Sequence, residues 1–135
     1  RCSRMPRKPV RHDTAAAQQA LDDFMAALNA RDEAGVNAAF NFPHIRLASD
    51  TVAIFEKRGD YTLAGFERRT RADNWHRSAW DYKKIVHAGP DKVHFDVQFT
   101  RFRADGSVIG AYKSLWIVTH IDGHLGVQAR SSYAA

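Results

Sequence analysis

The sequence predicts a single α+β domain, with helices first and a long antiparallel meander after them. Three observations predict it. The first third carries apolar residues at helical spacing. The last third, Val93 to Tyr133, alternates apolar and polar residues at strand spacing. Two Asp-Gly pairs, Asp105-Gly106 and Asp122-Gly123, sit between the alternating runs. Asp-Gly there signals a hairpin, because both central residues of a type I′ turn need positive φ. Helices segregated from an antiparallel sheet make an α+β domain.

In chain order, Asp13-Thr14 can cap a helix over residues 14–31, whose Ala17, Leu21, Phe24, Met25 and Leu28 form one stripe. Asp32-Glu33 opens a shorter helix that buries Val36, Ala39 and Phe40, and Pro43 ends it. HIRLAS and TVAIFE read as strands around Ser49-Asp50. GFERRTRADNWHRS reads as a third helix anchored by Phe66 and Trp75, with Arg68, Arg69 and Arg71 as a solvated basic run. SAWDYKKIVH is a strand, and Ala88-Gly89-Pro90-Asp91 turns it back.

Treating each Asp-Gly as a two-residue loop sets Phe99 opposite Tyr112, Phe95 opposite Trp116, Val118 opposite Val127 and Trp116 opposite Ala129. The Gly89-Pro90 turn sets Trp80 opposite Phe99 and Tyr82 opposite Val97. One face then gathers Trp80, Tyr82, Phe95, Val97, Phe99, Tyr112, Trp116 and Ala129. The other gathers Asp81, Lys83, Ile85, Asp96, Leu115, Ile117 and Arg130, with Lys83 facing Asp96. A slip of one residue would exchange the two lists.

The 135 residues fit one domain, 13–135, behind a basic tail of residues 1–12 read as disordered. Net charge is +5, but the tail holds Arg1, Arg4, Arg7, Lys8 and Arg11 and no acid, leaving fifteen basic and fifteen acidic residues over 13–135. The folded part therefore has no excess positive field for nucleic acid. No apolar run suits a membrane span, and a cytoplasmic location is the default expectation. One cysteine, Cys2, excludes an internal disulfide framework, and the histidines show no metal spacing, so neither metal nor cofactor is expected.

Trp75, Trp80, Tyr82, Phe99, Tyr112 and Trp116 are candidates to line a pocket for a flat apolar molecule, with Tyr82 and Tyr112 as hydrogen-bond donors. The plainer alternative is core filling. His44 is a candidate general base, against a satisfied histidine at a strand start. Leu115 and Ile117 alternate with Trp116 and Val118, so the run is apolar on both faces. That points to a homodimer through the sheet face, with Asp96 and Arg130 setting its register.

The segment FMAALNARDEAGVNAAF, and DGHLGVQARSS near the other end, resemble the NTF2-like superfamily, in particular its ketosteroid isomerase and SnoaL-like branch. The resemblance spans about residues 14–133. It implies a strongly curved sheet wrapped round the N-terminal helices into a cone, with one apolar pocket and a dimer. In ketosteroid isomerases a first-helix tyrosine donates to the oxyanion. The matching position here is Phe24, which has no proton to give and joins the rings as a ligand contact. Their base aspartate maps to Leu47-Ala48-Ser49-Asp50, where only Asp50 is an acid. Other members carry an acid where this chain has Pro43-His44. Three functions follow: an isomerase, cyclase, dehydratase or hydrolase-type enzyme using His44, Tyr82 and Tyr112; a non-catalytic binder of an apolar metabolite; or a protein-interaction module.

Overall fold

The computed structural model describes residues 14–134; the basic tail of residues 1–12 and the capping role of Asp13 lie outside them. The elements are α1 (Thr14–Asn29), α2 (Glu33–Ala38), β1 (Phe40–Ala48), β2 (Thr51–Phe55), α3 (Leu63–Thr70), a 3-10 turn (Arg71–Asp73), β3 (Arg77–Ala88), β4 (Lys92–Phe102), β5 (Val108–Ile121) and β6 (His124–Ser132). The six strands form one sheet in the order β2-β1-β6-β5-β4-β3. All pairs are antiparallel except β1 with β6, so the sheet is mixed.

The helices cover one sheet face. Ala17, Leu21, Phe24 and Leu28 of α1 are buried with Phe95, Val97, Trp116, Val118 and Val127. The predicted stripe of α1 is thus the core stripe. Asp32 caps α2 by accepting from Gly35 N at 3.0 Å. That helix is shorter than its sequence pattern suggests. Phe40 and Phe42 belong to β1, because Phe40 pairs with Val127 of β6. Gly126 permits this approach, since a Cβ there would stand 2.6 Å from the Phe40 carbonyl carbon. Likewise α3 starts on a Thr62 cap and stops at Thr70, and Asn74 turns left-handed at φ 57°. Trp75 therefore lies beyond the helix, packing edge-on against Phe66.

The β4–β5 register holds as predicted from Lys92 to Arg101, with Phe95 opposite Trp116 and Phe99 opposite Tyr112. Asp122 and Gly123 both have positive φ, as the second hairpin requires. Four register shifts alter the rest, and the first, between Arg101 and Phe102, sets Phe102 opposite Val108 and lengthens the Asp105-Gly106 loop beyond two residues. In β3 the shift between Trp80 and Tyr82 sets Tyr82 opposite Gln98 and Lys83 opposite Val97. Tyr82 therefore leaves the aromatic face. Lys84 faces Asp96, while Lys83 turns inward to pair with Asp22 of α1. A second β3 shift lies between Ile85 and His87. In the β5–β6 pair the shift falls between Ile117 and Val118, setting Trp116 opposite Arg130 and Ile117 opposite Ala129. One extra residue inverts every later side chain, so Arg130 goes under the helices and Ala129 to the open face. The assignment of Arg130 to the open face is thereby corrected, and its part in a sheet-face dimer falls with it.

Candidate functional site

The helix-covered face has two kinds of lining. Toward β3, β4 and β5 it is aromatic. Phe24 meets Trp116 edge-on at 5.0 Å, Trp116 meets Trp80 at 5.1 Å, and Trp80 meets Phe99 at 6.1 Å. Toward β1 and β6 it is basic. Strand alternation in β1 brings His44, Arg46 and Ala48 to this face, and the β6 bulge adds Arg130. One further step of β4 alternation beyond Phe99 adds Arg101, and α3 contributes Arg69 from the side.

Where the two linings meet, the interior leaves a cavity of about 30 Å³. Phe24, Phe66, Phe99 and Trp116 form its aromatic wall, and Arg46, Arg69, Arg101 and Arg130 its basic one. No carboxylate lines it among the described residues. Arg46, Arg101 and Arg130 are 7%, 4% and 7% exposed, while Arg69 stands at an exposed rim. Arg46 and Arg69 also border an open groove of about 280 Å³ that reaches Ala53 and Phe55 of β2.

Burial and mutual repulsion act together on these guanidiniums. Desolvation first, then Arg69 and Arg101, lower the pKa of Arg46 to about 10. Desolvation, then Arg46, lower that of Arg130 to about 9. Both remain cationic at pH 7. Burial also lowers Arg69 and Arg101, the latter with help from the Arg69 charge and some opposition from Asp73.

His44 is fully buried and stacks on Phe40 with ring centroids 3.7 Å apart. Its Nδ1 is 2.8 Å from Val127 O, and its Nε2 is 2.9 Å from Arg130 Nε. The carbonyl can only accept and the guanidinium can only donate. Nδ1 therefore carries the hydrogen, and Nε2 accepts from Arg130. Desolvation first, then the Arg130 charge, push its pKa down to about 2. This neutral, doubly engaged ring has no lone pair to offer a substrate. It holds Arg130 in place instead.

The other sequence candidates divide. Phe24, Phe99 and Trp116 line the cavity, while Trp80 backs them from the second row. Trp75 donates to Ser78 Oγ at 2.9 Å and lies under the Arg31 guanidinium. Tyr112 stands beside Phe99 and under Arg101, at 5.2 Å, without lining the cavity. Tyr82 sits on the open face beneath Lys84. The structure does not bring His44, Tyr82 and Tyr112 together. Asp50 lies in the exposed β1–β2 turn, away from the cavity. The residues that sequence reasoning missed are the four arginines. Arg46 and Arg101 were within reach, each two residues beyond an inward-facing neighbour. Arg69 was hidden in a run read as solvated, and Arg130 by the bulge. Among the described residues, no group of three or more His, Cys, Asp or Glu is placed to hold a metal, and no helix is long and apolar enough to cross a membrane.

The family described as NTF2-like protein (DUF6841) matches residues 13–129. The chain belongs to this NTF2-like family. Solved structures share its fold at low identity. A Nostoc punctiforme protein of unknown function with a cystatin-like fold is 16% identical, with TM-score 0.71 and 91% of each chain covered. A ketosteroid isomerase-like protein from Erwinia carotovora atroseptica is 17% identical, with TM-score 0.65, covering 88% of this chain and 93% of that one. A Catenulispora acidiphila protein, solved in complex with S-DNPA, is 17% identical, with TM-score 0.69, covering 89% and 91%. Comparison with curated proteins yields no match.

Proposed function

We propose that this NTF2-like protein takes up a small molecule inside the helix-covered face and holds it without proton-abstraction chemistry. The observation that carries this reading is the cavity itself. Protein interiors are close-packed, yet here space remains at the junction of an aromatic and a polar wall. Such junctions suit ligands with a few placed polar contacts. The groove bordered by Arg46 and Arg69 offers a way in and room for the larger part of a ligand.

Enolisation needs a base and an oxyanion donor together. Phe24 supplies no donor, the cavity lining supplies no carboxylate, and His44 is engaged at both nitrogens. The binding reading is therefore preferred to the enzyme reading. Native mass spectrometry against a library of small fragments is expected to show one ligand per chain. Phe24→Trp, which fills the cavity, is expected to abolish that binding in a chain that still folds. A fragment set that never binds, or binding indifferent to Phe24→Trp, refutes the assignment and favours an interaction module with a filled interior.

A second copy of the chain on the open sheet face remains part of this proposal. Two rows cross the strands there: Ile54, Ile45, Ala129 and Ile117, then Val52, Leu47, Ser131, Leu115, Asp96 and Lys84. Ile45, Leu47, Val52, Ile54 and Leu115 are exposed in the single chain. An apolar patch of this kind, ending in an acid and a base, suits a self-complementary contact.

A further inference from the structure

Buried cations ordinarily have an anionic partner, because an uncompensated one opposes folding strongly. Arg46 and Arg130 are buried round one small space whose described lining holds no carboxylate, and Arg101, whose charge Asp73 partly answers, is buried beside them. Beyond desolvation, Arg46 and Arg101 oppose the charge of Arg130, and Arg101 opposes that of Arg46. Ring faces supply part of the compensation. Arg130 lies over Phe40, Trp116 and Phe24 at 5.1, 5.4 and 5.5 Å, and Arg101 over Tyr112, Phe66 and Phe99 at 5.2, 5.6 and 5.8 Å. A ring face answers the charge but does not take up the in-plane N–H groups. Arg130 Nη2 is buried and has no hydrogen-bond acceptor among the described residues. It cannot swing away to find one. Arg130 Nε is fixed on His44 Nε2, and His44 is fixed on Val127 O.

We propose that the cavity is a carboxylate site, in which Arg130 Nη2 donates to the head group of a small organic acid and Arg46, Arg101 and rim Arg69 surround its charge. This rests on the reading of the cavity as a small-molecule site. The head is expected to sit at the junction of the linings, with the rest of the acid in the groove bordered by Arg46 and Arg69. Size and shape select carboxylate over other oxyanions. About 30 Å³ admits some two or three water-sized atoms. A planar carboxylate is that small, whereas phosphate or sulfate brings five heavy atoms and a tetrahedral outline. The guanidinium edge also matches a planar acceptor pair. A carbonyl oxygen of the chain already uses one such donor, Arg46 Nη2 to Ala134 O at 2.8 Å.

The test is calorimetric titration of the full chain at constant ionic strength with acetate, butyrate and benzoate, the neutral amides butyramide and benzamide, and inorganic phosphate. At least one carboxylate is expected to bind one per chain, ten-fold or more tighter than its amide. Arg130→Met is expected to remove that binding. Arg130→Lys, which keeps the charge without the planar fork, is expected to weaken it ten-fold or more, and carries the test should Arg130→Met not fold. An amide that binds as tightly as its acid overturns the carboxylate site and leaves the small-molecule reading standing. Phosphate binding more tightly than every carboxylate overturns it too. Failure of every probe overturns the carboxylate site, and failure of the fragment library as well overturns the small-molecule reading.

Discussion

The two halves of the helix-covered face are built on different physics. The β3–β5 half packs rings and aliphatics: Phe95, Val97, Phe99, Trp116 and Val118 beneath Leu21 and Phe24. Its stability comes from area removed from water and from ring contacts. The β1–β6 half packs Arg46, Arg130 and His44 at equal depth. There, desolvation opposes folding and hydrogen bonds only partly answer it. One fold thus carries a region that stabilises it beside a region whose buried charges oppose folding.

Cutting into each half sharpens the contrast. Trp116→Ala should cost about 3–5 kcal/mol in urea unfolding, the range for large aromatic truncations in a core. A loss under about 1 kcal/mol would show that the aromatic half is loosely packed.

The next effect is one of pH. His44 has a folded pKa of about 2 against 6.5 for the free ring. Between those values the unfolded chain binds a proton that the native chain refuses. His44 therefore stabilises the fold above pH 6.5, and this contribution falls away as the pH drops toward 2, at about 1.4 kcal/mol per pH unit. From pH 6.5 to pH 5 the expected loss is about 2 kcal/mol. His44→Gln should flatten that slope, measured by unfolding at a series of pH values; an unchanged slope would place the acid sensitivity elsewhere.

Arg130→Met should cost little, under about 1 kcal/mol, although Arg130 is buried like Trp116. Relief of repulsion from Arg46 and Arg101 offsets the lost ring contacts and the His44 nitrogen left without a donor. A loss as large as that of Trp116→Ala would mean that the basic half stabilises the fold after all. Leu115→Glu, on the open face, should leave folding stability within about 0.5 kcal/mol. It should instead convert a dimer to monomer by light scattering, and an unchanged dimer would move the interface elsewhere.

Much of the aromatic half was legible in the chain, because alternation and an Asp-Gly reversal are local signals. The β4–β5 register followed from them over ten consecutive pairs, Lys92 to Arg101. Arg101 was legible as well, had the alternation been carried one step past Phe99. Of the basic half, only Arg46 was. Tyr82 and Arg130 both sit beyond bulges, and a bulge leaves no mark in the periodicity until the partner strand is known. His44 read as a free titrating group because its two partners, Val127 O and Arg130 Nε, come from a strand more than eighty residues away.

The sequence alone determined the α+β order of elements, the stripe of α1 and the aromatic face of the central strands, since periodicities of 3.6 and 2 are properties of a few adjacent residues. Tertiary structure alone decided that β1 runs parallel beside β6, that Arg130 turns inward, and that four cations from β1, β4, β6 and α3 meet at one cavity. Convergence of that kind depends on which strands become neighbours and where each ladder skips a residue. Those choices are made by packing across the whole domain.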